Sequence, residues 1–218
     1  MTRIAVIGCG GLGVPAAWTL ALGGARQLRL IDPDAVELSN LHRQIAYGEA
    51  DIGQPKVQAL AHWLKKRFAG MDIQVVQQRA QAAGLDALLD GCDAVLEGTD
   101  DANSKFHVND WAVVKPRRRV ATIAAAIGRR GQHFTVTPTG ACYRCLFEAP
   151  PPEELLSTCS VAGVLGPTVG QVGALAATSL LHALRGQADP AQSALLRVGP
   201  RGLLRTAVQP AADCLCRR

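Results

Sequence analysis

A glycine-rich loop near the start of the chain limits the folds that this sequence can adopt. A short β-branched run, Arg3–Ile7, leads into Gly8, Gly10 and Gly13, which have the spacing G-x-G-x-x-G, and a helical pattern follows. Glycines at this spacing permit a tight turn, close approach of the backbone to phosphate, and close packing of a helix on a strand. The free N–H groups at the helix start then face the anion. The loop therefore predicts a nucleotide site at the end of a first strand.

The order of the sequence patterns predicts an α/β fold. Gly23 and Gly24 stop the first helix, and residues 27–32 read as a second strand, which completes a βαβ unit. Such units build parallel, doubly wound sheets. Residues 132–138 instead alternate with period two, as antiparallel strands do, and residues 193–209 resemble a closing hairpin. We therefore expect a Rossmann-like, mostly parallel doubly wound sheet with an antiparallel C-terminal extension.

Composition and charge narrow the class of protein. The 218 residues are 48% hydrophobic and 19% charged, which fits one packed domain and argues against long disorder. The net charge of +5 comes without aromatic residues interleaved in its basic runs, so we expect no nucleic-acid partner. No secretion signal or uninterrupted membrane span is apparent. Seven cysteines, an odd number, then indicate a reducing compartment, and we expect a cytoplasmic protein without a membrane partner.

The residues after the second strand distinguish two classes of nucleotide. The glycine spacing alone favours NAD or FAD, as in an oxidoreductase, and Asp32 lies where a carboxylate accepts hydrogen bonds from ribose hydroxyls. Asn40, Arg43 and Lys56 follow. Two cations there suit ATP, because adenylation builds charge on the α-phosphate and on the departing pyrophosphate. The alternative is that Arg43 and Lys56 are ordinary surface charges.

Two adjacent aspartates follow the fourth predicted strand, in the stretch GTDDANSK. Asp100 is a candidate ligand for Mg²⁺, which prefers carboxylate and phosphate oxygens. Either Asp100 or Asp101 also suits the N-cap of the next helix, which is the more frequent use of aspartate at such a position. The pair therefore predicts one metal ligand and one helix cap.

The cysteines fall into two close pairs and several single residues. The pairs CYRC and CLC, far apart in sequence, suggest a tetrahedral Cys₄ zinc site that staples the C-terminus to the core, with a redox dithiol or unliganded thiols as alternatives. Cys159 stands alone before a helix. A thiol there suits nucleophilic or persulfide chemistry, whereas most single cysteines are small buried residues.

These motifs together resemble the ThiF/MoeB/HesA family, bacterial adenylyltransferases related to ubiquitin-activating enzymes. The matching stretches occur in the family's order along nearly the whole chain: GCGGLG, DPDAVELSNLHRQ, GQPK, GTDD, CYRC, TCSVAGVLGP and the cysteine-rich end. The resemblance implies that ATP and Mg²⁺ are used to adenylate the C-terminal glycine of a small ubiquitin-like, β-grasp sulfur-carrier protein ending in Gly-Gly. A sulfur donor protein would then give a thiocarboxylate for thiamin, molybdopterin or related syntheses. Such enzymes are typically homodimers.

Carried onto this sequence, the resemblance implies a role for each matching residue. Residues 1–218 would form one domain, with a nucleotide-binding half at 1–130 and a carrier-binding, zinc-holding half at 131–218. The implied catalytic residues are Arg43, Lys56, Asp100 and Cys159. The implied nucleotide and zinc contacts are Gly8, Gly10, Gly11, Gly13, Asp32, Ser39, Asn40, Arg43, Lys56, Asp100 and Asp101 for ATP with Mg²⁺, and Cys142, Cys145, Cys214 and Cys216 for Zn²⁺.

Three features depart from the family pattern. The usual TDN is TDD here, the last cysteine pair is CxC, and no helical arm precedes the first strand. In family members an arginine of that arm reaches the partner subunit's ATP. We expect a residue within 117–119 or 129–130 to supply this charge. The alternative is a non-catalytic or weakly active member that binds a carrier or partner as a scaffold.

Overall fold

The strands of the protein form a single mixed sheet in the order β3-β2-β1-β4-β5-β6-β7-β8. The structure is a computed structural model that describes residues 2–114, 119–152, 163–188 and 193–217. Within these ranges the strands are β1 (Arg3–Ile7), β2 (Gln27–Ile31), β3 (Asp72–Val76), β4 (Ala94–Glu97), β5 (Val120–Ile127), β6 (Arg130–Val136), β7 (Ala194–Gly199) and β8 (Gly202–Ala207). The α-helices are α1 (Gly13–Leu22), α2 (Lys56–Arg67), α3 (Leu85–Leu88), α4 (Ala102–Val114) and α5 (Gly166–Leu184).

The sheet is parallel from β3 to β5 and antiparallel from β5 to β8. This confirms the predicted doubly wound sheet with an antiparallel extension. The chain winds outward from β1 through β2 to β3, and then crosses to β4 on the other side of β1. The loops after β1 and β4 therefore diverge at the carboxyl edge, which is where sheets of this type bind ligands.

Two apolar layers cover the sheet. On one face, α1, α2 and α5 pack over residues such as Val6 and Leu28, and on the other face α4 packs with the cysteine-rich segments. Helix α5 approaches the glycine loop so closely that a Cβ at Gly173 would lie 2.3 Å from the carbonyl oxygen of Leu12. Helix α5, from the C-terminal half of the chain, therefore supports the glycine loop near the N-terminus.

A buried histidine between β6 and α5 makes the fold sensitive to acid. His133 is 1% exposed; its Nε2 is 3.0 Å from the Ser179 hydroxyl, and its Nδ1 has no hydrogen-bond partner among the described residues. Burial lowers the pKa of His133 from 6.5 to about 4. The native state therefore favours the neutral ring, and the associated stability is present above pH 6.5 and is lost as the pH falls towards 4.

We expect the unfolding free energy to fall by about 3 kcal/mol between pH 7.5 and pH 4 through His133 alone, because its protonation is favoured in the unfolded chain. Urea denaturation across this range measures the loss. His133→Gln keeps a donor for Ser179 and should remove that part of the pH dependence, whereas the exposed-site control His62→Gln should keep it. An unchanged profile in His133→Gln would contradict the assignment.

Candidate active site

A cavity of about 1410 Å³ opens at the carboxyl edge of the sheet, between the glycine loop and the loop after β4. It continues across the antiparallel strands β6 to β8. Of the residues predicted to contact the nucleotide, all but Gly13 and Ser39 line this cavity. Those that line it are Gly8, Gly10, Gly11, Asp32, Asn40, Arg43, Lys56, Asp100 and Asp101.

The glycine loop is shaped by its neighbours' backbones. Gly8 has a φ of 87°, and a Cβ there would lie 3.0 Å from the carbonyl carbon of Gly98. A Cβ at Gly13 would lie 1.7 Å from the carbonyl oxygen of Gly8. In this structure Gly13 therefore allows α1 to pack against the end of β1, while Gly8, Gly10 and Gly11 leave backbone facing the cavity.

Asp32 is a buried hydrogen-bond acceptor at the end of β2. Its carboxylate accepts hydrogen bonds from the N–H groups of Cys9, at 2.6 Å, and Asp34, at 2.8 Å. Burial raises the pKa of Asp32, and these two N–H groups together with Lys56 oppose the rise. The carboxylate faces the cavity and retains lone pairs, so it can accept hydrogen bonds from ribose hydroxyls.

A short 3₁₀ turn, Leu38–Asn40, orients the guanidinium of Arg43. Asn40 is buried, and its Oδ1 accepts a hydrogen bond of 2.6 Å from Arg43 Nη2 and one of 3.2 Å from Gln44 Nε2. The Ser39 carbonyl accepts from Arg43 Nη1 at 3.2 Å, and the Ser39 hydroxyl donates to Glu37 rather than facing the cavity. Ser39 and Asn40 thus hold the arginine from two sides.

Lys56 begins α2, and its ammonium lies 2.9 Å from the Asp34 carboxylate. The Lys56 side chain is 8% exposed, whereas that of Asp34 is 54% exposed. Ion pairs with an exposed partner contribute little free energy. A triphosphate bound in the cavity could therefore replace Asp34 as the partner of the Lys56 ammonium at little cost in free energy.

The two adjacent aspartates have different surroundings. Asp101 caps α4, because its carboxylate accepts hydrogen bonds from the N–H groups of Asn103, at 3.0 Å, and Ser104, at 3.3 Å. The Asp100 carboxylate is exposed in the cavity and has no hydrogen bond or ion pair with any described residue. Asp100 is thus the one with free oxygens for Mg²⁺, whose preferred ligands are carboxylate and phosphate oxygens.

Sequence reasoning missed several charged residues of the cavity. Lys105 lines it and forms a buried ion pair with Glu97, and Arg197 and Arg201 come from the hairpin at the far end. Glu97 carried a signal, because it is a charged residue in an otherwise apolar strand pattern. Arg130, one of the arginines that the sequence analysis considers as a source of positive charge at the nucleotide, also lines the cavity.

The four paired cysteines come together on the other side of α4. None of the four forms a disulfide bond, and their sulfurs lie within 4.8 Å of one another. Tetrahedral Zn–S bonds of about 2.3 Å place sulfurs about 3.8 Å apart. Three of the observed separations are 3.9 Å for Cys142–Cys145, 3.4 Å for Cys142–Cys214 and 3.6 Å for Cys145–Cys216. The donor set therefore fits Zn²⁺, and the short CxC pair does not prevent it.

Burial raises the pKa of Cys142, and raises that of Cys216 to about 11. Burial opposes thiolate formation at Cys145 as well, but hydrogen bonds from the N–H groups of Cys142 and Ala211 and from the thiols of Cys214 and Cys216 together lower its pKa. Bound thiols must lose their protons, so metal uptake at this cluster should release protons.

The cysteine cluster is anchored to α4 by polar contacts. The Tyr143 N–H donates to Asn109 Oδ1 at 2.7 Å, and Arg144 makes two hydrogen bonds to the Asp110 carboxylate at 2.7 and 2.8 Å. Tyr143, which lies between the two cysteines of the first pair, and Phe147, two residues after the pair, line the cavity. The cluster therefore fixes one wall of the site.

Zinc analysis should find about one ion per chain, and Cys216→Ser should lose most of it, because a structural zinc site needs four ligands. Plasma emission spectrometry on protein purified without added metal measures this, and denaturation should show a loss of stability in the same variant. Cys92→Ser, a buried cysteine outside the cluster, is the matched control. Equal zinc in Cys216→Ser and wild type would contradict the four-cysteine site.

Some predicted features lie outside the described residues. Cys159 is one of them, as are residues 115–118, which include Arg117 and Arg118. Across the ranges that the structure covers, every helix is too short or too polar to cross a membrane.

Comparison with known proteins agrees with the motifs. The ThiF family model matches residues 1–217. The chain belongs to the ThiF family. Among the family's relatives, SAMP-activating enzyme E1 of Haloferax volcanii is 32% identical over 196 residues, which cover 89% of this chain and 72% of that protein. Adenylyltransferase and sulfurtransferase MOCS3 of Danio rerio is 38% identical over 187 residues, 84% of this chain.

The ThiF-family chain is shorter than several of its relatives. It spans 40% of Danio rerio MOCS3 and 39% of Anopheles gambiae MOCS3. Among solved structures, E. coli MccB with ATP superposes with a TM-score of 0.83 at 18% identity, covering 100% of this chain and 67% of that chain. The structure determined for SeMet PaaA has a TM-score of 0.76 at 18% identity, covering 97% of this chain and 65% of that one. These superpositions show that the chain shares its fold with MccB and PaaA.

Proposed function

We propose that this protein is an adenylyltransferase that uses ATP to activate the C-terminal glycine of a small ubiquitin-like carrier protein. The observation that carries the proposal is the convergence of Arg43, Lys56 and Asp100 on one cavity above the glycine loop. Two cations and a free carboxylate suit a metal-bound triphosphate, which a hydride-transfer enzyme would not need. The names of the H. volcanii and MOCS3 relatives support the same activity.

The geometry suggests how the chain's own groups contribute. The carrier's carboxylate is ionised at neutral pH, so it can attack the α-phosphorus directly and displace pyrophosphate without a general base. Arg43 and Lys56 would neutralise the charge that builds on the α-phosphate and the leaving pyrophosphate. Asp32 would hold the ribose and Asp100 the metal, and Mg²⁺ would supply further charge neutralisation on the phosphates.

The second half of the cavity suits an extended peptide tail. Across β6 to β8, the sheet face that carries Gln132, Arg197 and Leu204 lines it, with Tyr143 and Phe147 at one side. A Gly-Gly terminus is narrow enough to pass beside aromatic rings. The arginines of this region favour a carrier with acidic groups near its tail.

We further propose that the activated carrier delivers sulfur. The adenylate would be converted to a thiocarboxylate by a sulfur donor, with Cys159 as a candidate participant and a cytoplasmic homodimer as the working form. The alternative of a non-catalytic scaffold rested in part on the second aspartate of the TDD stretch, Asp101. Asp101 is used as a helix cap, however, and leaves Asp100 free, so this departure does not favour loss of catalysis.

ATP–pyrophosphate exchange tests the proposal. We expect exchange that depends on Mg²⁺ and on an added ubiquitin-like protein ending in Gly-Gly, encoded near the gene for this chain. The matched control is the same carrier without its last glycine, which should give no exchange. Tight binding of the carrier without ATP consumption would instead support a scaffold, and binding of NAD(P) or flavin in place of ATP would support an oxidoreductase.

A further inference from the structure

The wall of the cavity includes one member of a buried ion pair that the proposed reaction does not use directly. Lys105 and Glu97 are 6% and 0% exposed, and Lys105 Nζ lies 2.7 Å from Glu97 Oε2. Two further oxygens accept from the same ammonium, the carbonyls of Thr99 and Ala124, each at 2.8 Å. The three N–H bonds of Lys105 are therefore all engaged by protein oxygens, which leaves none for a phosphate.

The pair closes a gap in the sheet. Glu97 and Ile123 form the last backbone pairing between β4 and β5. Beyond that point the Ala124 carbonyl receives a hydrogen bond from Lys105 instead. Charges are buried only at considerable cost unless they are paired and hydrogen-bonded, so a pair satisfied to this extent indicates a fixed local geometry.

The same pair holds the loop that carries Asp100. The second oxygen of Glu97 accepts hydrogen bonds from the Thr99 N–H, at 2.9 Å, and from the Thr99 hydroxyl. The Thr99 hydroxyl in turn accepts from the N–H of Asp101, at 3.2 Å, and Asp101 caps α4. Both neighbours of Asp100 are thus immobilised, while its own carboxylate has no described partner.

This loop also abuts the phosphate-facing backbone. The Gly98 N–H donates to the Ile7 carbonyl at 2.9 Å, and a Cβ at Gly8 would lie 3.0 Å from Gly98. A shift of the loop that carries Asp100 would therefore displace the glycine loop as well. The loop is held between Gly8 on one side and Lys105 on the other.

We propose that Lys105 and Glu97 are positioning residues that set Asp100 for the metal-bound triphosphate. They act through the backbone of residues 98–101 and do not contact the nucleotide. This inference rests on the proposed function, since it assigns the loop a role in holding Mg²⁺ and ATP.

Calorimetric titration of ATP, without carrier, tests the assignment at a series of Mg²⁺ concentrations and in EDTA. Lys105→Met should raise the Mg²⁺ concentration at which ATP affinity is half-maximal by about tenfold or more, because Asp100 loses its fixed position and displacements of about 1 Å cost up to about 10²-fold in catalysis. ATP affinity in EDTA should change much less. Lys65→Met, an exposed lysine on α2, should leave both quantities unchanged.

Lys105→Met leaves Glu97 buried without its cation, so a second variant guards against misfolding. The double variant Glu97→Gln with Lys105→Met removes both charges and keeps an acceptor for Thr99, and it should show the same rise in Mg²⁺ requirement. A folded variant of either kind with a Mg²⁺ requirement within about twofold of wild type, or with ATP affinity lost equally in EDTA, would overturn the inference. Wild-type protein that fails to bind ATP with Mg²⁺ would overturn the proposed function, and this inference with it.

Discussion

Replacing Asp100 by asparagine should slow carrier-dependent ATP–pyrophosphate exchange by about 10²–10³-fold, the usual effect of removing one group that stabilises developing charge. The Asp100 carboxylate is exposed in the cavity and has no partner among the described residues, so the substitution breaks no internal contact. The loss should therefore appear in the reaction and in Mg²⁺-dependent ATP binding, with little change in the denaturation midpoint.

The neighbouring residue is the matched control for this change. Asp101→Asn alters the same charge one residue away, but asparagine caps helices about as well as aspartate, so α4 should remain intact. We expect exchange close to wild type in Asp101→Asn. Equal losses in the two variants would show that overall charge, rather than a ligand at Asp100, governs the reaction.

Replacing Gly13 by alanine should destabilise the protein by about 3 kcal/mol or more, at the upper end of what overpacking costs. The added Cβ would lie 1.7 Å from the Gly8 carbonyl oxygen, and neither atom can move away unless the backbone itself moves. Relief requires α1 to move off the end of β1, which also opens the glycine loop. Chemical denaturation should show the loss of stability, and ATP binding should fail in whatever fraction remains folded.

Gly48→Ala is the control for this second change. Gly48 has a φ of −120°, and no atom lies within 4 Å of the position that an added Cβ would take. Alanine there should therefore shift the unfolding free energy by less than about 0.5 kcal/mol. A Gly13→Ala protein as stable as Gly48→Ala would contradict the close packing of helix on strand at this loop.

Much of the fold could be predicted because its signals are local. Strand β1 spans the β-branched run Arg3–Ile7, and α1 ends at Leu22, directly before Gly23 and Gly24, as the sequence patterns predict. Strand β6 begins earlier than expected, at Arg130 rather than 132, because its pairing with β5 extends to Ile127. Pairing partners of this kind are set by tertiary contacts that a single strand's pattern does not contain.

The sequence predicts the parts of the candidate site that lie in recognisable motifs. It does not predict the parts that depend on which side chains become buried together. Asp32, Asn40 and Lys56 follow from spacing, and the structure brings them to one cavity. The different roles of Asp100 and Asp101 depend on which carboxylate reaches the N–H groups of α4, which the sequence leaves open. Glu97 stands out as a charged residue in an apolar strand, but its pairing with Lys105 depends on how α4 packs on β4, which the sequence pattern does not show.

Adenylation of the carrier can be measured by trapping the activated carrier with hydroxylamine and locating the product by mass spectrometry. We expect an ATP-dependent hydroxamate on the carrier's C-terminal glycine with wild-type protein, and almost none with Asp100→Asn. Unmodified carrier after incubation with ATP, Mg²⁺ and folded wild-type protein that binds it, or modification at a residue other than the terminal glycine, would contradict it.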